Sequence, residues 1–210
     1  MTDLTTRREP DDPGWASRGA LKLEAALVRF GIDPAGRICA DLGCSTGGFT
    51  DALLRRGAAR VHAVDTGYGV LAWRLRSDPR VVVHERTNAL QVELPEPCGL
   101  VVVDVGWTRQ ERIVPRALGL LGPGGEVVSL LKPHYEASPD WLEGGVLPAS
   151  RVDEVVAGVL GRLARLEPPC RVVATMPSPV PGGKGGNSEV LLHLRAAGAD
   201  DLQWGRGGDS

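Results

Sequence analysis

The chain has 210 residues, the length of one ordinary domain, and its 42% hydrophobic and 24% charged content is that of a globular protein with a sizeable core. A net charge of −2 excludes nucleic-acid binding by bulk basicity and leaves only a local basic face for that purpose. Four cysteines (Cys39, Cys44, Cys98, Cys170) without a CxxC pair read as reduced thiols of a cytoplasmic protein, the polar first dozen residues are unlike a signal peptide, and no apolar run approaches the ~20 residues that span a bilayer.

In chain order, residues 1–14 are charged and proline-bearing and are expected to form a flexible arm. Ser17 is expected to cap a helix from Arg18 to Phe30 that stops at Gly31. Ala20, Leu21, Leu23, Leu27, Val28 and Phe30 supply its apolar surface, and Lys22 falls off that stripe, beside Ala26 and Arg29. A first strand, Arg37 to Leu42, runs into a glycine-rich turn and a helix to Arg56. Strands at Val61–Asp65 and Val81–His84 flank a short helix, Leu71–Arg76, which Asp78-Pro79 ends. Leu100 to Asp104 is an unbroken apolar run ending in an acid, the pattern of a strand buried on both faces.

A helix at Arg109–Leu121 is broken by Gly122 to Gly125, and a fifth strand, Glu126–Leu131, stops at Lys132-Pro133. Ser150 with Asp153 has the spacing of a capping box for a helix whose stripe is Val152, Val155, Val156, Val159, Leu160 and Leu163. A sixth strand at Arg171–Ala174, a long Pro/Gly loop and a seventh strand at Ser188–Arg195 follow, then a glycine-rich tail at 198–210 expected to be flexible. Alternation of strands and helices predicts an α/β fold with a mainly parallel sheet covered on both faces. Only a loop joins the last two strands, too short for a parallel crossover, so strand seven is expected to be antiparallel. One domain, residues 15–197, is expected.

The turn at Asp41 to Thr50 has the spacing Asp-x-Gly-x-x-x-Gly-Gly, not the Gly-x-Gly-x-x-Gly of a dinucleotide enzyme. Strand–turn–helix geometry leaves backbone N–H groups and open space at the strand's carboxyl end, where nucleotide-like cofactors bind. Asp65, at the end of the second strand, is placed to take ribose hydroxyls, and Asn88, past the third, to reach an adenine edge. A carboxylate at Asp41 suits the sulfonium and ammonium of S-adenosylmethionine. The cofactor residues are therefore Asp41, Gly43, Cys44, Ser45, Thr46, Gly47, Gly48, Phe49, Asp65, Asn88 and Asp104.

Four further charges sit where charge is awkward: Lys22 off its helix stripe, Asp104 and Lys132 ending apolar strands, and Glu189 opening the last one. Singly each has an ordinary role, with Asp104 capping the next helix or Glu189 pairing with Lys184. Together, at strand ends along one sheet edge, they form a set of two cations and two anions that is cheaper to bury than any member alone. Such a set can activate a hydroxyl for methyl transfer, since a lysine becomes a general base when desolvation or a neighbouring cation lowers its pKa, as Lys22 would for Lys132. His62, His84 and His193 have no metal-ligand spacing, and no metal is expected.

Several stretches resemble the FtsJ/RrmJ-like ribosomal RNA 2′-O-methyltransferases, and most closely the methyltransferase domain of the TlyA (hemolysin A) family. They are Ser17 to Leu23, Asp41 to Asp51, Ala63 to Gly69, Leu75 to Pro79, Glu85 to Asn88, Lys132 to Glu136 and Ser178 to Glu189, spanning nearly all of Ser17 to Arg195. The resemblance implies a Rossmann-like class I methyltransferase, S-adenosylmethionine as donor, a ribosomal RNA ribose 2′-OH as acceptor, and a Lys-Asp-Lys-Glu tetrad at Lys22, Asp104, Lys132 and Glu189. Two departures bear on the acceptor. An RNA-binding S4-type domain is expected to be missing ahead of Ser17, and Val105 to Gln110 differs from that family's Leu-Ser-Phe-Ile-Ser-type run. A small hydroxylated metabolite is accordingly the alternative acceptor. Trp107 is either a platform for a flipped base or a packing plug, Arg109 and Arg112 either contact phosphate or are a solvated face, and His134 and Tyr135 are candidates to line the acceptor site.

Overall fold

The computed structural model describes residues 14–167, 169–182 and 186–197. The expected arm, Gly14 apart, the expected tail at 198–210 and Lys184 lie outside the described residues. Seven strands form one sheet: β1 (Ile38–Leu42), β2 (Arg60–Val64), β3 (Val81–His84), β4 (Cys98–Val103), β5 (Leu121–Leu131), β6 (Cys170–Pro177) and β7 (Val190–Ala196). Their order is β3-β2-β1-β4-β5-β7-β6. The first five are mutually parallel, and β7 is antiparallel to both β5 and β6, as the short connection requires. The helices are α1 (Gly19–Phe30), α2 (Gly48–Arg55), α3 (Trp73–Arg76), α4 (Gln110–Gly119), α5 (Pro133–Glu136) and α6 (Ala149–Leu163).

The central strands divide their side chains strictly between two cores. Cys39, Leu100, Val102, Val128 and Leu130 pack with Leu23 and Leu27 of α1 and Phe49 and Leu53 of α2. Their neighbours Ala40, Leu42, Val101, Val103, Val127 and Leu131 pack with Ile113 of α4 and Val159 and Leu163 of α6. This is the two-residue period of a strand buried on both faces. The same parity carries Asp41, Asp104 and Lys132 to the α1–α2 side, and Glu189 follows Leu191 there.

Several expected boundaries move. Ser17 does not occupy the N-cap of α1: that position is Arg18, in helical conformation, and Ser17 Oγ accepts the Gly19 N–H at 3.2 Å from just outside. Ser150 caps nothing. Pro148 stands at the N-cap of α6 without a side-chain bond, its fixed φ of −53° leading the chain into the helix, so Ser150 lies within the first turn. The glycine run after α4 belongs to β5, which starts at Leu121 and pairs Leu121 with Cys98 before a bulge. Capping at Gly31 is as expected, in the left-handed conformation at φ 67°. Among the described residues no helix is long and apolar enough to cross a membrane.

Midway along β5 the sheet is pinned by a buried carboxylate. Glu126 accepts hydrogen bonds from His193 Nε2 at 3.0 Å, Arg195 Nη2 at 2.6 Å and Arg37 Nη1 at 2.9 Å. The His193 hydrogen bond, with those of Arg195 and Arg37 and against the cost of burial, holds its pKa down to about 2. A carboxyl depressed by folding stabilises the fold above its ordinary value, and that stability is lost as pH falls from about 4.5 towards about 2. Glu126→Gln is expected to lose on the order of 3 kcal/mol at pH 7 and to flatten the decline across that window. Urea unfolding at stepped pH measures both; an unchanged acid limb contradicts the assignment.

Candidate active site

At the carboxyl end of β1 the chain turns within van der Waals reach of β4. Gly43 has φ 89°, and a Cβ there would lie 2.5 Å from the carbonyl oxygen of Asp104, so only glycine fits. The Gly43 and Cys44 N–H groups both point to Val64 O, at 2.8 and 3.0 Å. Ser45 follows at φ 49°, unusual for a residue with a side chain, and its N–H is held by Asp65 Oδ2 at 2.8 Å while Oδ1 takes the Gly67 N–H at 2.7 Å. Asp65 thus ties the turn to the end of β2. Thr46 joins it to α3 by accepting the Ala72 N–H at 3.2 Å. Gly47, at φ 101°, caps α2. Gly48 opens that helix, where a Cβ would lie 2.9 Å from Ala20 N: α1 and α2 meet backbone to backbone.

Two cavities open around this turn. The smaller, about 240 Å³, is lined by Ser17, Lys22, Asp41, Thr46, Phe49 and Asp104. The larger, about 440 Å³, is lined by Asp65, Asn88, Leu90, Trp107, Thr108 and Lys132. Gly43, Ser45 and Asp104 belong to both walls. Cys44 and Phe49 are mostly absorbed into the core behind the turn, and burial raises the pKa of the Cys44 thiol.

Asp41 is fully buried at the floor of the smaller cavity. Thr50 Oγ1 donates to its Oδ2 at 2.7 Å, and Oδ1 has no partner. Burial pushes this carboxyl up to about 7, with the Thr50 hydrogen bond opposing and the like charge of Asp104 adding to it. A buried acceptor without a donor is costly unless a cation meets it. The ammonium and sulfonium of S-adenosylmethionine are cations of that kind, so the residues present fit this cofactor.

The four awkward charges form two ion pairs. Lys22, from α1, is paired with Glu189, and both side chains are nearly buried. Lys132 Nζ lies 2.5 Å from Asp104 Oδ1, off hydrogen-bonding alignment, and donates to Val105 O at 3.4 Å. Asp104 faces the cavity of Lys22 as well as that of Lys132, so it links the pairs. Thr50, whose hydroxyl fixes Asp41, was given no role by the sequence reading; a threonine in the first turn of the helix that follows the glycine turn was the available signal.

Asn88 makes the turn that its residue type favours, its Oδ1 accepting the Leu90 N–H at 2.9 Å, and it also lines the larger cavity. Trp107 is not a packing plug: it is 86% exposed, in the left-handed region at φ 58°, with its ring 4.5 Å from that of Tyr135. The His134 ring meets Tyr135 in turn, tilted at 49°, and burial, with Lys132 nearby, holds its pKa down. Arg109 and Arg112 are exposed, Arg109 only 3.8 Å from Glu111. His62 and His84 bond each other at 3.0 Å between β2 and β3, and His193 belongs to the Glu126 cluster, so all three have structural partners. All four cysteines are free and buried, and among the described residues no group of His, Cys, Asp and Glu could hold a metal ion.

Comparison with known proteins agrees with this fold. The profile of the FtsJ-like methyltransferases matches residues 15–196. The 16S/23S rRNA (cytidine-2′-O)-methyltransferase TlyA of Mycobacterium tuberculosis is 46% identical over 188 residues, 86% of this chain and 68% of that protein. Hemolysin A of Brachyspira hyodysenteriae is 37% identical over 190 residues, 86% of this chain and 76% of that protein. A solved structure of a hemolysin-like protein from Lactococcus lactis superimposes with a TM-score of 0.80 at 37% identity, covering 86% of this chain and 88% of that one.

The orphaned carboxylate gives a test with opposite signs for stability and binding. Because folding raises the Asp41 pKa, stability declines as pH rises from the ordinary carboxyl range to about 7. Asp41→Asn is expected to be more resistant to urea than the parent at pH 8 and to bind S-adenosylmethionine at least about tenfold more weakly. Denaturant titration and calorimetry check the two halves; undiminished affinity would show that no cation sits on Asp41.

Proposed function

The chain belongs to the FtsJ-like methyltransferase family, and from that premise we propose that it methylates a ribose 2′-OH of ribosomal RNA using Lys22, Asp104, Lys132 and Glu189. The observation that carries the reading is the Lys132–Asp104 pair on the wall between two cavities, with Lys22 and Glu189 paired behind it. Relatives named for rRNA 2′-O-methylation supply the acceptor class.

S-adenosylmethionine supplies an electrophilic methyl group on a sulfonium. The turn from Gly43 to Phe49, with Asp41 below it, would hold the ammonium and the sulfonium of the cofactor's amino-acid end in the smaller cavity. Asp65 and Asn88 hold the adenosine end in the larger. Asp104, common to both walls, marks where donor and acceptor meet. Lys132, as the neutral amine, would orient the acceptor hydroxyl and take its proton as the oxygen–methyl bond forms and the sulfur–methyl bond breaks, while Asp104 keeps the amine in place. Lys22 holds the cofactor side of the junction, anchored by Glu189. Transfer is an in-line displacement, so alignment of oxygen, methyl and sulfur carries most of the rate, and these rigid pairs supply it.

Trp107, exposed and in tilted contact with the Tyr135 ring, offers a flat surface beside Lys132 for an unstacked base. Arg109 and Arg112 provide local positive charge for phosphate on a chain of net charge −2. Acting on rRNA, the protein would work in the cytoplasm.

Lys132→Ala is expected to reduce methylation by at least about 10²-fold, the lower range for loss of a general base, with S-adenosylmethionine affinity nearly unchanged. Mass mapping of 2′-O-methyl groups in rRNA, alongside a panel of hydroxylated metabolites, reads the outcome. Full activity in the variant would remove Lys132 from the mechanism; product from metabolites and none from RNA would replace the acceptor.

A further inference from the structure

Loop residues 105–109, which carry Trp107, run from Asp104 to the start of α4, and both ends are fastened to the same short segment, 132–136. At the first end Lys132 pairs with Asp104 and donates to Val105 O. At the second, Glu136 Oε1 accepts the backbone N–H of Gln110, the first residue of α4, at 2.7 Å. The middle of the loop is joined to the same segment by the contact of the Trp107 and Tyr135 rings.

We infer that Glu136 is a positioning residue for the RNA acceptor, clamping the Trp107 loop onto the segment that bears Lys132. The inference rests on the reading of Lys132 and Trp107 given above and adds a residue that touches neither cofactor nor acceptor. Its carboxylate satisfies an otherwise unpaired donor at a helix N-terminus, a charge-assisted bond favoured by the helix dipole. Its other oxygen is held by Arg162 Nη2 of α6 at 2.8 Å, and Arg162 is also bonded to Glu111 of α4. The Glu136 side chain is only 2% exposed, so little water competes for these bonds.

Gln110 is fixed from its own side as well. Ser129 Oγ donates to Gln110 Oε1 at 2.6 Å, and Gln110 Nε2 donates to Leu130 O at 3.4 Å. The start of α4 is thereby registered against β5 immediately before Lys132. Trp107 occupies a left-handed backbone conformation unfavourable for a bulky residue, and such a residue persists only where its surroundings over-determine it. Fastening at both ends meets that condition. The outcome is one rigid unit in which the amine and the exposed ring keep a fixed separation, although they come from different strands' ends.

Two measurements test the clamp. Glu136→Leu removes the acceptor at similar size, and Glu136→Gln keeps an oxygen for the Gln110 N–H. In Glu136→Leu, amide hydrogen exchange is expected to speed up at 105–112 while 41–49 stays protected. Turnover of rRNA is expected to fall about 10²-fold, as for a misplaced reacting group, with S-adenosylmethionine affinity within about twofold. Glu136→Gln is expected to recover most of the turnover. Combining Glu136→Leu with Trp107→Ala is expected to cost little more than either change alone, since both act through one loop. Unchanged exchange at 105–112, an equal loss of cofactor affinity, or fully multiplicative effects with Trp107→Ala would each overturn the inference. Absence of 2′-O-methyl product from the parent protein would instead refute the acceptor assignment, while hydrogen exchange still reads the clamp.

Discussion

Two opposite-charge pairs at the carboxyl edge of the sheet, Lys132 with Asp104 and Lys22 with Glu189, are the constraint around which the site is arranged. Desolvating a single lysine or carboxylate costs several kcal/mol, and removing one member of a buried pair such as Lys22–Glu189 costs about 3–5 kcal/mol because the other is left uncompensated, with a smaller cost at the more open Lys132–Asp104 pair. The four therefore have to arrive together. They come from α1, from the ends of β4 and β5 and from the start of β7, so the pairing is satisfied only in the assembled sheet. The antiparallel placement of β7 is what makes this possible: it brings the beginning of that strand, rather than its end, to the edge where the parallel strands finish.

Asp41 is the exception that gives the site its sign. It has one hydroxyl donor and one oxygen without any, and it lies beneath a turn whose N–H groups are largely committed to Val64 and Asp65. The turn is therefore rigid before any ligand arrives, and the uncompensated charge beneath it favours a cationic one. Rigidity here is bought with strain at Ser45, held at positive φ by the Asp65 carboxylate. The middle of β5 is built on a different plan. Glu126 there is saturated by His193, Arg195 and Arg37 and has nothing left to offer a ligand. The middle of β5 carries a satisfied, structural carboxylate; the carboxyl edge of the sheet carries an under-satisfied one at Asp41.

Much of this was legible in residues read one by one. Apolar runs ending in a charge announced β4 and β5, the glycine spacing announced the turn, and the loop between the last two strands announced the reversal of β7. Gly31 stopped α1 as its residue type implies. What failed was local capping: Ser150 has the right spacing for a capping box, but Pro148 starts α6 earlier and leaves the serine inside the first turn. The glycine run after α4 was read as a break because its pairing with Cys98 across a bulge is a contact distant in sequence. Trp107 could not be assigned between plug and platform, since exposure is a property of the fold.

The chemical inventory was thus set by sequence alone: which residues are charged at strand ends, which turn must be glycine, and which side chains share a parity along a strand. Local periodicity and steric rules act over a few residues and need no partner. The pairing itself was decided only by tertiary structure. Sequence brought four charges to one edge, but that Lys22 goes with Glu189, that Lys132 goes with Asp104, and that Glu136 joins a distant helix to the segment of Lys132 depends on distances across the sheet. Coulombic and hydrogen-bonding terms act through space over a few ångströms, and no pattern along the chain encodes which neighbours those few ångströms will contain.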